Sequence, residues 1–80
     1  MAFPKIAFIV NPHAGNRSTG SNWSYIEAIA RNRLGHFQTY MTQSPGEAVR
    51  FAEDAVAKDA GLLVCVGGDG TLNEVINGIM

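Results

Sequence analysis

In this 80-residue chain, the run Val64-Cys65-Val66-Gly67-Gly68-Asp69-Gly70-Thr71-Leu72-Asn73-Glu74-Val75 passes from an apolar strand through glycines into a helix. Glycines at such a junction let a ligand reach bare backbone N–H groups at the positive end of the helix dipole, an arrangement that binds phosphate. The loop has neither the Gly-x-x-x-x-Gly-Lys-Ser/Thr spacing that brings a lysine to terminal phosphates nor the Gly-x-Gly-x-x-Gly of dinucleotide sites. It carries an aspartate instead. A carboxylate repels a polyphosphate unless a cation lies between them, so Asp69 points to a magnesium–nucleotide complex. An ordinary turn, with Asp69 bonded to its own backbone, is the better account of Gly-Asp-Gly taken alone. It is the whole strand–loop–helix run that favours phosphate.

The elements around this loop read as alternating strands and helices. Ile6 to Val10 and Leu62 to Val66 are continuous apolar runs of five, as in parallel strands covered on both faces. His36 to Thr42 alternates, with Phe37, Thr39 and Met41 on one side and Gln38 and Tyr40 on the other, and reads as an edge strand. A first helix is expected from Ser21 or Asn22, burying Trp23, Ile26, Ile29 and Ala30 and stopping at Gly35 after Arg31 and Arg33. Ser44-Pro45-Gly46-Glu47 combines a capping box with proline at the first helical position, predicting a second helix that runs to Gly61 with Val49, Ala52 and Val56 inward. Thr71-Leu72-Asn73-Glu74 is a second capping box, opening a third helix whose stripe is Leu72, Val75, Ile76 and Ile79, with Asn73, Glu74 and Asn77 opposite.

The result is βαβαβα. Right-handed crossovers, with the two fully apolar strands adjacent, give strand order 2-1-3, the three-layer start of an open parallel sheet of Rossmann or flavodoxin type. The winding reverses between strands 1 and 3. Ligands of such sheets bind at the carboxyl ends of the strands at this switch point, here the loops Asn11 to Arg17 and Gly67 to Thr71.

Composition narrows the classes. A formal net charge of −1 with mixed signs gives no basic stripe for nucleic acid or an anionic membrane. One cysteine cannot close an internal disulfide, and Cys65 in mid-strand reads as a core residue, so a cytoplasmic setting fits. The apolar run before Asn11-Pro12 is too short for a signal peptide or a transmembrane segment. No Ser-His-Asp, Cys-His or paired-carboxylate arrangement is legible.

Gly67-Gly68-Asp69-Gly70-Thr71-Leu72-Asn73-Glu74-Val75-Ile76-Asn77-Gly78 resembles the signature of the diacylglycerol kinase catalytic domain, shared by sphingosine and ceramide kinases. Asn11-Pro12-His13-Ala14-Gly15 resembles the Asn-Pro-x-x-Gly element that opens the same domain, and Thr42 with Gly46-Glu47-Ala48 its third nucleotide-contacting element. NAD kinases and phosphofructokinases share the Gly-Gly-Asp-Gly core, but the leading Asn-Pro and trailing Asn-Glu-Val favour the lipid-kinase branch; an NAD kinase-like enzyme is the more distant alternative. The resemblance implies transfer of the γ-phosphoryl of ATP, with Mg2+, to a lipid hydroxyl such as that of diacylglycerol. It implies nucleotide contacts at Asn11, Pro12, Gly15, Thr42, Gly67, Gly68, Asp69, Gly70, Thr71, Asn73 and Glu74, with Asp69 the magnesium ligand. Glu74 is also explained by helix capping alone.

Kinases of this family are several times longer. Residues 1–80 are therefore expected to be the partial nucleotide-binding domain, with the lipid-binding domain and the catalytic base following it. The chain alone is expected to be inactive, and the longer enzyme to be cytoplasmic with peripheral visits to the membrane. A stand-alone nucleotide-binding module and a non-binding structural fragment are the alternatives. Strand 3 would keep an unpaired edge, which invites self-association. His13 and His36 read as exposed loop and strand-start residues, Trp23 as a core anchor, and Arg17 as a surface cation or a substitute for the missing lysine.

Overall fold

The computed structural model describes the backbone of residues 5–13 and 18–80 and the side chains of residues 5–13 and 23–80. Three strands, β1 (Ile6–Val10), β2 (Gln38–Met41) and β3 (Leu62–Val66), alternate with three helices, α1 (Ser18–Leu34), α2 (Glu47–Ala57) and α3 (Asp69–Ile79). The sheet is parallel in the order β2-β1-β3. This is the expected topology, with β1 central because its side chains are apolar on both faces.

Each face of the sheet has its own core. Phe8 and Val10 of β1 meet Trp23 of α1 and Phe37 on one side. Phe8 is the hub, with ring centroids 5.1 Å from Trp23 and 4.7 Å from Phe37 in tilted geometry. On the other side Ile9 packs with Ala48 and Ala52 of α2 and Val75 of α3. Tyr40 stacks on Phe51 there, centroids 5.2 Å apart. The two helices on this face approach closely because they meet through small residues. A Cβ on Gly78 would press into the Val49 carbonyl oxygen and stand 2.8 Å from the Ala52 Cβ.

Several local expectations shift. α1 begins at Ser18, ahead of Ser21 and Asn22, and it ends as expected, with Gly35 at φ 81° donating its N–H to the Arg31 carbonyl. α2 stops at Ala57, short of Gly61. Asp59 adopts φ 64° and the N–H groups of Asp59 and Ala60 turn back to Val56 and Ala55, a Schellman closure that ends the helix. At the other end, Gly46 at φ 90° cannot be helical, so α2 starts at Glu47 and Pro45 stands in the preceding turn. The return arm of the capping box survives, since the Glu47 carboxylate accepts the Ser44 N–H at 2.9 Å.

Helix faces differ more. α2 turns Ala48, Ala52 and Ala55 inward and leaves Val56 48% exposed. In α1, Trp23 is buried while Ile26 and Ile29 are each 45% exposed. α3 opens at Asp69 with Gly68 as its N-cap, so Thr71 is its third residue and caps nothing. Its buried face is Thr71 and Val75; Leu72, Ile76 and Ile79 stand exposed on the side that faces away from Ala48 and Ala52.

Candidate functional site

Strand register assembles the site. Val10 is paired with both Met41 and Val66, so the next residues, Asn11, Thr42 and Gly67, leave the sheet side by side. The ladder extends one step into the loops: the Asn11 N–H donates to the Val66 carbonyl at 2.8 Å and the Thr42 N–H to the Val10 carbonyl at 2.9 Å. Three separate sequence motifs therefore converge at the carboxyl end of the sheet, where the order 2-1-3 reverses its winding.

Asn11 uses both ends of its amide. Its Oδ1 accepts the His13 N–H at 3.0 Å, which folds the first loop, and its Nδ2 donates to Thr71 Oγ1 at 3.2 Å. Thr71 is 6% exposed, and this bond satisfies its hydroxyl inside the protein. Gly67 lies beneath: a Cβ there would come within 2.8 Å of Thr71 Oγ1 and 3.2 Å of the Asn11 Cβ. Glycine is thus required at position 67 by close approach, while Gly68 and Gly70 have open space around them, leaving their backbone accessible.

Above these residues is a cleft of about 280 Å³, lined by Asn11, His13, Thr42, Gln43, Ser44, Pro45, Ala48, Gly70, Thr71 and Glu74. It falls just under the roughly 300–1,000 Å³ that encloses a small ligand. A larger hollow of about 330 Å³ lies at the opposite, amino-terminal ends of β1 and β2, beside Lys5, His36 and Lys58, and contains none of the motif residues. Placement at the switch point, and not size, identifies the candidate.

Asp69, in the first turn of α3, is exposed, and its charge complements the helix dipole. Among the described residues no group of three or more His, Cys, Asp or Glu side chains could hold a metal. A lone carboxylate at a phosphate loop fits magnesium that arrives with its nucleotide, since that ion takes one or two carboxylates plus phosphate oxygens. Asn73 is exposed on α3. The Glu74 carboxylate accepts the Gly46 N–H at 3.2 Å and does not cap its own helix. Pro12 is half-buried behind Asn11, whereas Gly15 and Arg17 lie outside the described residues.

The remaining acids are committed or remote. Glu47 is held below the usual carboxylate range by the N–H groups of Gln43 and Ser44. Asp54 is lowered by the Tyr40 hydroxyl and by Lys58, while burial and the Asp54 charge push the Tyr40 phenol up to about 12. Glu27 pairs with Arg31 and accepts from Thr39. Burial raises the Cys65 thiol, which disfavours its thiolate. Gln43, Ser44 and Pro45 line the cleft without having been singled out as ligand contacts; their place directly after the β2 run was the available signal.

Fold and cleft together define an open parallel α/β sheet with a cleft at its topological switch point. Residues 5–80 match the diacylglycerol kinase catalytic domain, and the chain belongs to that family. It is 35% identical over 75 residues to a protein assigned as a lipid kinase in Streptococcus pneumoniae serotype 4, covering 94% of this chain and 26% of that one. It is 50% identical over 52 residues to a diacylglycerol kinase of Staphylococcus haemolyticus, covering 64% of this chain and 16% of that one. Among solved structures, a protein assigned as a diacylglycerol kinase from Bacillus anthracis str. Sterne superposes with TM-score 0.82 at 29% identity, over 98% of this chain and 28% of that one. The chain thus spans about a quarter or less of the length of these relatives.

Proposed function

We propose that this chain is the ATP-binding portion of a lipid kinase that transfers the γ-phosphoryl of ATP to a lipid hydroxyl of the diacylglycerol kind. The observation that carries this is the convergence of Asn11, Thr42 and the Gly67–Thr71 loop at one end of the sheet, with Asn11 bonded to Thr71. Phosphoryl transfer asks for positioning and charge neutralisation more than covalent chemistry. The N–H groups of Gly68 and Gly70, at the start of α3, receive phosphate oxygens. Thr42 and Asn11 flank the ribose and phosphates, Pro12 stiffens the first loop and Gly15 gives it clearance, while Asn73 adds a contact along α3 and Glu74 stands at the cleft wall, bonded to the Gly46 N–H. Asp69 would hold Mg2+, which would neutralise the phosphate charge as it shifts during transfer.

Residues 1–80 constitute the partial nucleotide domain in this proposal, and the acceptor site and base lie elsewhere in a longer enzyme. Among the described residues no helix is long and apolar enough to cross a membrane; contact of the longer enzyme with lipid, in this proposal, is peripheral and from the cytoplasm. The purified chain should transfer no labelled phosphate from ATP to diacylglycerol, because among the described residues Asp69 is assigned to the metal and Glu74 holds the Gly46 N–H, leaving no carboxylate at the cleft to serve as base; measurable product would refute this. The free edge of β3 would let the chain self-associate.

The test is an amide NMR titration of the 80-residue chain with MgATP. Selective shifts at Asn11–His13, Thr42 and Gly67–Thr71 support the proposal. A dispersed spectrum that does not move would reduce the chain to a structural fragment of its family.

A further inference from the structure

Glu74 belongs to the motif by sequence, yet its partner within the protein lies outside its own helix. Its Oε2 accepts the N–H of Gly46, 28 positions earlier, at 3.2 Å. Gly46 is the N-cap of α2 and closes the loop that starts at Thr42. That loop is otherwise held by the Thr42 N–H on the Val10 carbonyl and by its own Glu47 on Ser44. Three residues before Glu74, Thr71 holds the Asn11 amide. Adjacent turns of α3 therefore grip the first and second loops of the cleft, through Thr71 and Glu74. Gly78, one turn further on, lets α3 lie close enough to α2 for the carboxylate to reach.

We propose that Glu74 is a positioning residue: by holding the Gly46 N–H it sets the gap between the start of α2 and the glycine loop, and it acts on nucleotide through that gap. The proposal rests on the nucleotide reading of the cleft. What the clasp needs is a hydrogen-bond acceptor, not a charge. A free carboxylate at this wall would repel polyphosphate, whereas one whose oxygen already holds an N–H is partly neutralised. Glutamine offers an acceptor at the same reach, and alanine offers none.

The experiment compares wild type, Glu74→Gln and Glu74→Ala by hydrogen exchange at the Gly46 amide without ligand and by MgATP affinity from amide shifts. Glu74→Ala should speed Gly46 exchange and weaken MgATP by roughly three- to tenfold, as expected for one lost hydrogen bond. Glu74→Gln should recover most of both. Unchanged affinity in Glu74→Ala, or a Glu74→Gln protein that keeps Gly46 protected yet binds as poorly as alanine, overturns the proposal, the second in favour of a direct charge or metal contact. Should the alanine variant lose its dispersed spectrum, the glutamine variant decides by the same two readouts. A wild type that ignores MgATP overturns the nucleotide reading and the purpose assigned here to Glu74. A wild type that binds beside an unaffected alanine variant overturns the positioning role alone.

Discussion

At the scale of single residues, charge sign decides most of the site. Asp69 has open solvent around it and no described cation beside it, so any gain from its carboxylate must come through a metal. Asp69→Asn should therefore abolish the magnesium dependence of ATP binding while leaving the fold intact; calorimetry with and without Mg2+ checks this, and a retained dependence would move the metal elsewhere. Away from the cleft, Tyr40 and Asp54 share a 2.7 Å hydrogen bond. The Tyr40 phenol is raised to about 12 from 10.0, so its stabilising contribution is complete below pH 10 and is lost as pH climbs from there toward 12. Melting temperature should fall over that window, and less steeply in Tyr40→Phe. The Asp54 shift is downward, so its share persists above the usual aspartate range and fades as pH drops through it. The meeting of Asn11, Thr42 and Gly67 at one end of the sheet was legible because Asn11 and Gly67 directly follow apolar runs and Thr42 ends an alternating one. The bonds from Thr71 to Asn11 and from Glu74 to Gly46 were not, because partners 60 and 28 positions apart leave no local pattern.

At the scale of elements, the seam between α2 and α3 is the least tolerant contact. Gly78→Ala should cost about 1–3 kcal/mol, because the intruding methyl meets a backbone carbonyl that cannot rotate away. For a domain of this size that is a drop of roughly 5–20 °C in melting temperature, measurable by circular dichroism. An unchanged melting point would mean that the helices slide apart freely. The strands, their order and the existence of all three helices follow from period and length, because an apolar run of five between turn signals has few alternatives. Helix faces were harder. Periodicity weights large side chains, so it placed Val56 and Ile26 inward, whereas α2 buries Ala48, Ala52 and Ala55 to let a second helix come near. Helix starts failed for a related reason: Gly68 and Gly46 set the first turns of α3 and α2 by backbone conformation, and neither leaves the side-chain signature of a cap.

At the scale of the whole molecule, part of the exposed apolar surface lies on β3 and α3. Leu62 on β3 is 48% exposed, and Leu72, Ile76 and Ile79 on α3 are 41–48% exposed. β3 pairs with β1 on one side, and no strand is paired to its other edge among the described residues. The family relatives, about four times longer, have material to cover such a flank. The 80-residue chain on its own should self-associate through this edge, and Leu62→Lys should restore the monomer by placing a charge on it. Sedimentation velocity across a range of concentrations distinguishes these outcomes, and a wild type that stays monomeric removes the edge from consideration.

The packing also sets how the protein ages. Asparagine loses ammonia when its side chain is attacked by the N–H of the following residue, fastest when that residue is glycine. Asn11, whose amide links two loops, is followed by Pro12, which has no N–H to attack with. The glycine that the helix seam demands at position 78 creates the chain's one Asn-Gly pair, Asn77-Gly78, in the last turn of α3. Chemical wear is thus steered off the asparagine that ties the first loop to α3 and onto a helix end, where its pace follows how often that last turn unwinds.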